Sequence, residues 1–196
     1  MTAMPDAALL LMDVQVSIVE RFADGAEPLL AAVNRAAAAA RTNGIPVVYV
    51  RVAFRPGAPE VDPNNRIFAA LAGSAAFSEE APGAQIHPAV APQPGDIVVT
   101  KKRVSAFAGS DLDMVLRSRG ARTLVLAGIA TSGVVLSTLR QAADLDYALV
   151  VLRDGCADAD EEVHRVLLDK VFARQADVLT VDEWTDGIGG SAREPL

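Results

Sequence analysis

Short apolar runs alternate with helix-forming stretches along this chain, and the alternation predicts the fold class. Each run is too short for a helix and is typical of a buried parallel strand. The predicted strands cover residues 7–14, 45–52, 96–100, 123–127, 147–152 and 176–181. Alanine-rich or amphipathic segments predict helices over residues 28–42, 111–119, 132–145 and about 158–174. Strands that alternate with helices indicate an open, doubly wound α/β sheet.

Two segments interrupt this alternation. Residues 55–94 are rich in Pro, Gly and Ala and lack sustained periodicity. So long a connection in a compact domain is typical of a lid, a binding loop or an oligomer contact. The tail from residue 186 is glycine-rich, which predicts loose order. With 196 residues, we expect a single domain over 1–196, with a core at about 7–184 and a flexible C-terminal tail.

Composition supports this fold and narrows the range of partners. Hydrophobic residues make up 51% of the chain and aromatic residues only 5%, as suits a parallel sheet covered by helices. The net charge of -7 repels nucleic-acid phosphates and anionic lipid surfaces, so neither nucleic acid nor membrane is an expected partner. Residues 1–6 lack a signal-peptide pattern, and no stretch approaches the ~20 apolar residues of a membrane span. We therefore expect a soluble, cytoplasmic protein.

The few cysteine and histidine residues leave little room for metal chemistry. Cys156 is the single cysteine, so it can form neither an internal disulfide nor a cysteine-based zinc cluster. Free cysteines are more often buried packing residues than catalysts. His87 and His164 are far apart in the sequence, and we expect structural roles for both. No metal ion or other cofactor is expected.

Polar motifs follow three of the predicted strands. Asp13 ends the first strand, Lys101 follows the third, and residues 129–134 follow the fourth. In doubly wound sheets, ligands bind beyond the carboxyl ends of the strands, near the point where strand order reverses. The three motifs are therefore expected to meet on one rim, around a site for a small-molecule substrate.

Asp13 and a pair of lysines are the first candidates for chemistry. A carboxylate at the end of an apolar strand is costly unless it is paired, and partial desolvation suits general acid or base catalysis. The alternative is that Asp13 caps a helix or pairs with a lysine for structure alone. Lys101 and Lys102 are adjacent, so only one can point inward, and both could instead be solvated surface lysines.

Three segments together carry a family resemblance: Leu10-Leu11-Met12-Asp13-Val14-Gln15, Lys101-Lys102-Arg103-Val104-Ser105-Ala106-Phe107 and Gly128-Ile129-Ala130-Thr131-Ser132-Gly133-Val134-Val135. In order, spacing and context they resemble the isochorismatase-like (cysteine hydrolase) superfamily. The resemblance implies a three-layer αβα fold whose six-stranded, mostly parallel sheet has the order 3-2-1-4-5-6. It also implies a small-molecule hydrolase in which Asp13 and Lys101 are catalytic, and a homo-oligomer, either a dimer or a tetramer.

The elbow after the fourth strand departs from the thiol members of that family. The resemblance places their nucleophilic cysteine at Val134. In those members, backbone N–H groups and the helix dipole lower the thiol pKa and form an oxyanion hole. Valine keeps the backbone but cannot attack a substrate. The resemblance also implies a non-proline cis peptide bond between Ile129 and Ala130, and we expect this bond to persist here.

We therefore expect a hydrolase that works without a thiol nucleophile, with Asp13 as general acid or base beside Lys101. The resemblance supplies a precedent, because true isochorismatases use the aspartate as general acid and carry a small residue in the cysteine position. Two alternatives stay open: a catalytically silent ligand-binding or oligomeric scaffold, and an amidase whose nucleophile has moved to Ser132, which has an equally good role as a helix N-cap. Expected substrate-binding residues are Gln15, Phe54, Arg103, Ile129, Ala130, Ser132 and Gly133.

Overall fold

The computed structural model describes residues 6–22 and 26–190. Its centre is a six-stranded parallel sheet in the order β3-β2-β1-β4-β5-β6, which confirms the predicted topology. The strands are β1 (Ala7–Met12), β2 (Val47–Val52), β3 (Ile97–Lys101), β4 (Thr123–Ile129), β5 (Ala148–Ala157) and β6 (Asp177–Leu179).

Helices cover both faces of the sheet. The α-helices are α1 (Val16–Val19), α2 (Ala26–Thr42), α3 (Arg66–Ala72), α4 (Leu112–Ser118), α5 (Leu136–Asp144), α6 (Glu161–Val166) and α7 (Val181–Gly190). One π-helical turn, Thr131–Val135, leads into α5, and a second, Leu167–Val171, follows α6. None of the helices in residues 6–22 and 26–190 combines the length and the apolar character needed to cross a bilayer.

The central strand β1 is buried on both faces. Leu9 and Leu11 pack against residues of α2 and α7, whereas Leu10 and Met12 pack against residues of α4 and α5. Successive side chains of a strand point to opposite faces of a sheet. Helices on both sides of β1 therefore explain why its sequence is a continuous apolar run, not an alternating one.

Asp13 lies just outside the sheet. The first strand was predicted to run to residue 14, but it ends at Met12 because Asp13 has a φ of 58°. This left-handed conformation turns the chain away from the extended path, and Asp is one of the residues that tolerate it. The backbone N–H of Asp13 still donates to the carbonyl of Val50 at 2.8 Å, and the turn leaves its carboxylate at the carboxyl rim.

The segment 55–94 folds over the carboxyl rim of the sheet. It contains α3 and the 3-10 turns Ala75–Phe77, Pro82–Ala84 and Pro88–Val90. Lys102 attaches it to the end of β3, because its Nζ donates to Glu79 Oε1 at 2.5 Å and to the carbonyl of Ala53 at 2.6 Å. Phe68 and Phe77 pack with Phe54 in a small apolar cluster beneath it.

The C-terminal part of the chain corrects one expectation. The tail from residue 186 was predicted to be loosely ordered, but α7 continues to Gly190. Val181 and Trp184 are buried, and Ile188 packs against the same core cluster. These apolar side chains recur on one face of the helix and attach it to the sheet. Residues 191–196 lie outside the described residues.

Candidate active site

A cavity of ≈ 350 Å³ opens at the carboxyl rim of the sheet. It lies where β1, β3 and β4 end and is roofed by α3 and the turn that follows it. A volume of this size is at the lower end of small-molecule sites, which span about 300–1,000 Å³. The residues that line it are Asp13, Ile18, Arg21, Val52, Ile67, Phe68, Leu71, Phe77, Lys101, Val104, Ile129, Ala130, Gly133, Val134 and Ala159.

Asp13 has a buried carboxylate, of which one oxygen contacts Lys101 and the other has no hydrogen-bond partner among the described residues. Its Oδ2 lies 3.0 Å from Lys101 Nζ, and the residue is only 6% exposed. Its Oδ1 is buried and has no hydrogen-bond partner in the described part of the chain. Burial raises the pKa of Asp13, and the charge and hydrogen bond of Lys101 lower it by less. The carboxylate is therefore poised closer to neutral pH than an exposed aspartate.

Lys101 points into the cavity, and its neighbour Lys102 does not. Lys101 is the last residue of β3 and is 2% exposed, with its Nζ 3.0 Å from both Asp13 Oδ2 and the carbonyl oxygen of Arg103. An ammonium group has three donors, so one N–H remains for a third partner in the cavity. Because β2 lies between β1 and β3, this pairing spans two strand spacings, about 10 Å.

The elbow after β4 forms another wall of the cavity. Val134 is 2% exposed and contacts the same space as Asp13 and Lys101. The peptide bond between Ile129 and Ala130 is cis, at the position that the resemblance implies. Of the expected substrate-binding residues, Ile129, Ala130 and Gly133 line the cavity. The elbow thus supplies backbone and small apolar side chains to this wall.

The close approach of the elbow to β1 depends on Gly128. This residue has a φ of 147°, and a Cβ built on it would lie 2.1 Å from the carbonyl oxygen of Met12. No real Cβ comes so near to a backbone oxygen, so only glycine fits between the two central strands at this point. The glycine therefore brings the elbow beside Asp13.

Two residues that sequence reasoning did not assign to the site hold the elbow from outside the cavity. Asp158 Oδ2 accepts a hydrogen bond from the backbone N–H of Ser132 at 2.7 Å. His164 Nδ1 lies 2.8 Å from the buried hydroxyl of Thr131, and burial lowers the pKa of His164. Asp158 directly follows β5, but the strand predicted from the sequence ended at residue 152, so the strand-end argument that selected Asp13 did not reach it.

Four of the expected substrate-binding residues do not line the cavity. Gln15 is fully buried, donates to the carbonyls of Val52 and Ala84, and accepts from the backbone N–H of Val52. Its amide therefore satisfies backbone groups between β2 and the segment 55–94. Gln15 therefore has a structural role in this arrangement, and a substrate contact through it stays an untested prediction.

Phe54, Arg103 and Ser132 also lie outside the cavity lining. Phe54 is buried in an edge-to-face contact with Phe68. Arg103 donates to the backbone oxygens of Lys102 and Glu60, which fixes the segment 55–94 to β3. The side chain of Ser132 is exposed and outside the cavity lining, and Ala130, not Ser132, is the N-cap of the elbow helix.

The apolar wall of the cavity was not predicted. Ile18 and Arg21 come from the chain after β1, and Ile67, Phe68, Leu71 and Phe77 come from the segment 55–94. These segments show no extended periodicity that would mark one face as inward. No signal in the sequence alone distinguishes their side chains from ordinary surface or core residues.

Cys156 is buried away from the cavity lining. It lies in β5 beside Gly128 of β4, and burial raises the pKa of its thiol to about 12. A thiol in this state is protonated at neutral pH and is a poor nucleophile. Within residues 6–22 and 26–190, no three His, Cys, Asp or Glu side chains come together in a way that could hold a metal ion.

Comparison with known families agrees with this arrangement. The Isochorismatase domain family matches residues 7–183. Ureidoacrylate amidohydrolase RutB of Pseudomonas syringae pv. syringae is 38% identical over 168 residues, which is 79% of this chain and 64% of the relative. An uncharacterized isochorismatase family protein of Bacillus subtilis, YwoC, is 35% identical over 142 residues, 72% of this chain and 74% of the relative. This chain thus spans about two thirds of the length of the RutB relative.

Solved structures show the same fold. A cysteine hydrolase from Pseudomonas syringae pv. phaseolicola superposes with a TM-score of 0.87 at 22% identity, over 95% of this chain and 93% of that one. An isochorismatase family protein from Desulfovibrio vulgaris superposes with a TM-score of 0.84 at 28% identity, over 94% and 98% of the two chains. These proteins therefore share the fold of nearly the whole described chain.

Proposed function

The chain belongs to the isochorismatase family, and from that premise we propose that it is a hydrolase of small molecules that works without a thiol nucleophile. The amidohydrolase name of the RutB relatives supports hydrolysis as the reaction class. Val134 stands in the cavity where the resemblance places the thiol, and Cys156, with its raised pKa, does not line the cavity. Asp13 and Lys101 are then the groups left to act on the substrate.

The main support for this proposal is Oδ1, the carboxylate oxygen of Asp13 that does not contact Lys101. Oδ1 is buried without a partner among the described residues, while Lys101 holds Oδ2. A buried carboxylate oxygen without a donor is costly, and at a cavity wall it is suited to accept a proton from water or from the substrate. Its raised pKa brings it nearer to the operating pH, where general acid and base catalysis is most effective.

The proposed reaction at a carbonyl carbon begins with attack by water. Asp13 Oδ1 takes a proton from the water as its oxygen bonds to the carbonyl carbon, and the carbonyl electrons move to the carbonyl oxygen. The ammonium of Lys101, with one N–H unused by Asp13 and Arg103, would stabilise that negative oxygen. When the intermediate collapses, the leaving group departs with the proton from Asp13, which regenerates the carboxylate.

The geometry gives less support to a relocated nucleophile. The side chain of Ser132 is exposed and outside the cavity lining. The hydroxyl of Thr131 contacts His164, but Thr131 is fully buried and also outside the lining. A nucleophile must reach the substrate as well as its base, so neither residue meets both conditions. The silent scaffold remains the competing function, and kinetics can separate it from hydrolysis.

The test is turnover of a panel of amides, vinyl ethers and small esters by the wild type and by Asp13→Asn. Asparagine keeps the shape of the side chain but cannot act as a base, so we expect the rate to fall about 100- to 10,000-fold. The matched control is Asp182→Asn, because Asp182 is exposed on α7 and should leave the rate unchanged. If the wild type turns over no compound of the panel faster than Asp13→Asn does, the result would support the silent scaffold.

The pH profile gives a second readout of the same role. Base catalysis needs the ionised form of Asp13, and burial raises its pKa above the ordinary value of 3.8. The hydrolysis rate should therefore fall as the pH decreases through this raised pKa, while the protein is still folded. A rate that is flat down to the ordinary carboxyl range would contradict Asp13 as the base.

A further inference from the structure

The cavity walls are unusually poor in polar side chains for a site that performs hydrolysis. Of the fifteen lining residues, only Asp13, Arg21 and Lys101 carry a charged or hydrogen-bonding side chain. The other twelve are glycine or apolar residues, and the aromatic rings of Phe68 and Phe77 are among them. A ligand buried against such walls is stabilised by the removal of its apolar surface from water.

The three charged groups leave one positive charge without an ion-pair partner among the described residues. Asp13 and Lys101 neutralise each other at 3.0 Å. Arg21 lines the same cavity, is exposed to solvent, and forms no ion pair with the residues that the structure describes. Its guanidinium carbon lies 5.9 Å from the ring centroid of Phe77, a cation-π contact that holds the cation beside the apolar wall. The cavity therefore favours an anion and disfavours a cation.

We propose that the substrate is a small carboxylate with a hydrocarbon body, which places its carboxylate on Arg21, its body against Phe68, Phe77 and α3, and its hydrolysable group at Asp13 and Lys101. This inference rests on the proposed hydrolysis for the position of the reacting group. An arginine can bind a carboxylate through two parallel hydrogen bonds. The apolar body then fixes the distance between the carboxylate and the reacting bond.

The substrate named for the RutB relatives would fill these walls only in part. In the proposed arrangement, the carboxylate of ureidoacrylate would lie on Arg21 and its ureido group at Asp13 and Lys101. Its two-carbon body would leave much of the apolar surface of Ile67, Leu71 and the two phenylalanines uncovered. We therefore expect an acid with a larger hydrocarbon body to bind more tightly, because it removes more apolar surface from water.

The experiment measures binding, so it does not depend on turnover. The probes are phenylbutyrate and its alcohol phenylbutanol, which have no hydrolysable bond, and the polar acid ureidopropionate, whose carbamoyl C–N bond is checked for cleavage after the titration. Dissociation constants come from isothermal titration calorimetry with the wild-type protein. We expect phenylbutyrate to bind about tenfold more tightly than either of the other two, because each lacks one of the two proposed contacts.

Two variants at exposed positions assign the contacts. Arg21→Gln should remove the preference for phenylbutyrate over phenylbutanol, while the affinity for the alcohol is unchanged. Ile67 is 62% exposed, so Ile67→Asn should fold, and it should weaken both phenyl compounds severalfold. The matched control is Arg117→Gln, which removes the same charge from a residue that pairs with Asp113 on α4 and does not line the cavity.

Each outcome decides the inference. Tighter binding of ureidopropionate than of phenylbutyrate would overturn the apolar body, and an acid-to-alcohol ratio that survives Arg21→Gln would overturn the role of Arg21. Failure of all three probes to bind at millimolar concentration would overturn both. If phenylbutyrate binds tightly but no compound of the hydrolysis panel is turned over, the result would support the proposed ligand class and contradict the hydrolase.

Discussion

A catalytic thiol requires both a suitable position and a sulfur atom, and in this protein Val134 has the position and Cys156 has the sulfur. Val134 has the position, at the start of a helical turn and against the cavity with Asp13 and Lys101. Cys156 has the sulfur, but burial raises its pKa to about 12 and it lies outside the cavity lining. Thiol reactivity depends on the thiolate fraction and on access, so neither residue meets both requirements in the wild-type protein.

Installing a thiol at the elbow should therefore reveal whether the activating surroundings remain. In a Cys156→Ala background, we expect Val134→Cys to be alkylated by iodoacetamide at least tenfold faster than Cys156 is in the wild type. The reason is the helix start, together with the ammonium of Lys101 in the same cavity. Intact-mass spectrometry near neutral pH measures both rates, and equal rates would mean that the elbow no longer lowers a thiol pKa.

His164 makes stability depend on pH. Burial lowers its pKa below the ordinary value of 6.5, so the folded protein takes up this proton less readily than the unfolded chain. Where the unfolded state binds more protons, the free energy of unfolding rises with pH. This contribution is present above 6.5 and is lost as the pH falls towards the lowered pKa.

Replacing His164 should flatten that slope. We expect the free energy of unfolding of wild type, from urea titrations between about pH 5 and about pH 7.5, to fall more steeply towards acid than that of His164→Gln. His87→Gln is the control and should keep the wild-type slope, since His164 is unchanged in it. Identical slopes for wild type and His164→Gln would show that the burial of His164 does not couple its protonation to folding.

At the scale of elements, the site depends on how closely β4 approaches β1. Gly128 pairs with Met12 in the sheet, has a φ of 147°, and has no space for a Cβ. The two strands carry the elbow and Asp13, so their separation sets the width of the cavity floor. The sequence marks Gly128 as the residue that opens the family motif, but its clash partner on β1 is evident only in the folded chain.

Gly128→Ala tests this close approach. We expect a loss of about 3 kcal/mol or more in the free energy of unfolding, because the methyl group would collide with the backbone of Met12 and the φ would be strained. Gly44→Ala is the control, since Gly44 also has a positive φ, 69°, but nothing within 4 Å of a built Cβ. That variant should lose only ~1 kcal/mol. Urea unfolding that shows equal losses for the two would contradict the steric argument.

For the whole molecule, the cavity exists because the segment 55–94 is held on the rim of the sheet. Lys102 contacts Glu79 and Ala53, and its Nζ also lies 3.4 Å from Glu60 Oε1. The side chains of Lys102 and Glu60 are each only 13% exposed, so their attraction is less screened than that of a surface pair. The apolar wall of the cavity therefore depends on charges that lie outside it.

Lys102→Met should loosen this segment without unfolding the sheet. We expect amide hydrogen exchange to become at least severalfold faster over residues 55–94 while β1 and β4 keep their protection. Lys170→Met is the control. Lys170 is exposed in the π-helical turn after α6, and it is far in the sequence from the residues of the rim. Unchanged exchange in 55–94 would show that apolar packing and the hydrogen bonds of Gln15 and Arg103 hold the segment without Lys102.

The homo-oligomer stays a prediction, which light scattering on the purified protein would test.

The sequence by itself predicted the six strands, the four helices that alternate with them, the single rim on which their polar ends meet, and the pairing candidates Asp13 and Lys101, but it did not predict α1, α3 and α7. These features follow from periodicity and from the rule that parallel strands end at one edge, which are local properties of the chain. Strand order came from the resemblance, since hydrophobic pattern does not specify which buried strands are neighbours.

Only the tertiary structure decided which side chains form the wall of the cavity and which support it from behind. Gln15 and Arg103 belong to the family motifs but satisfy backbone groups, whereas Arg21 and Ile67 come from segments without predicted structure and reach the cavity. Such roles depend on contacts between residues far apart in the chain and on side-chain direction in turns. Neither leaves a period in the sequence, so burial and partnership there are properties of the folded molecule.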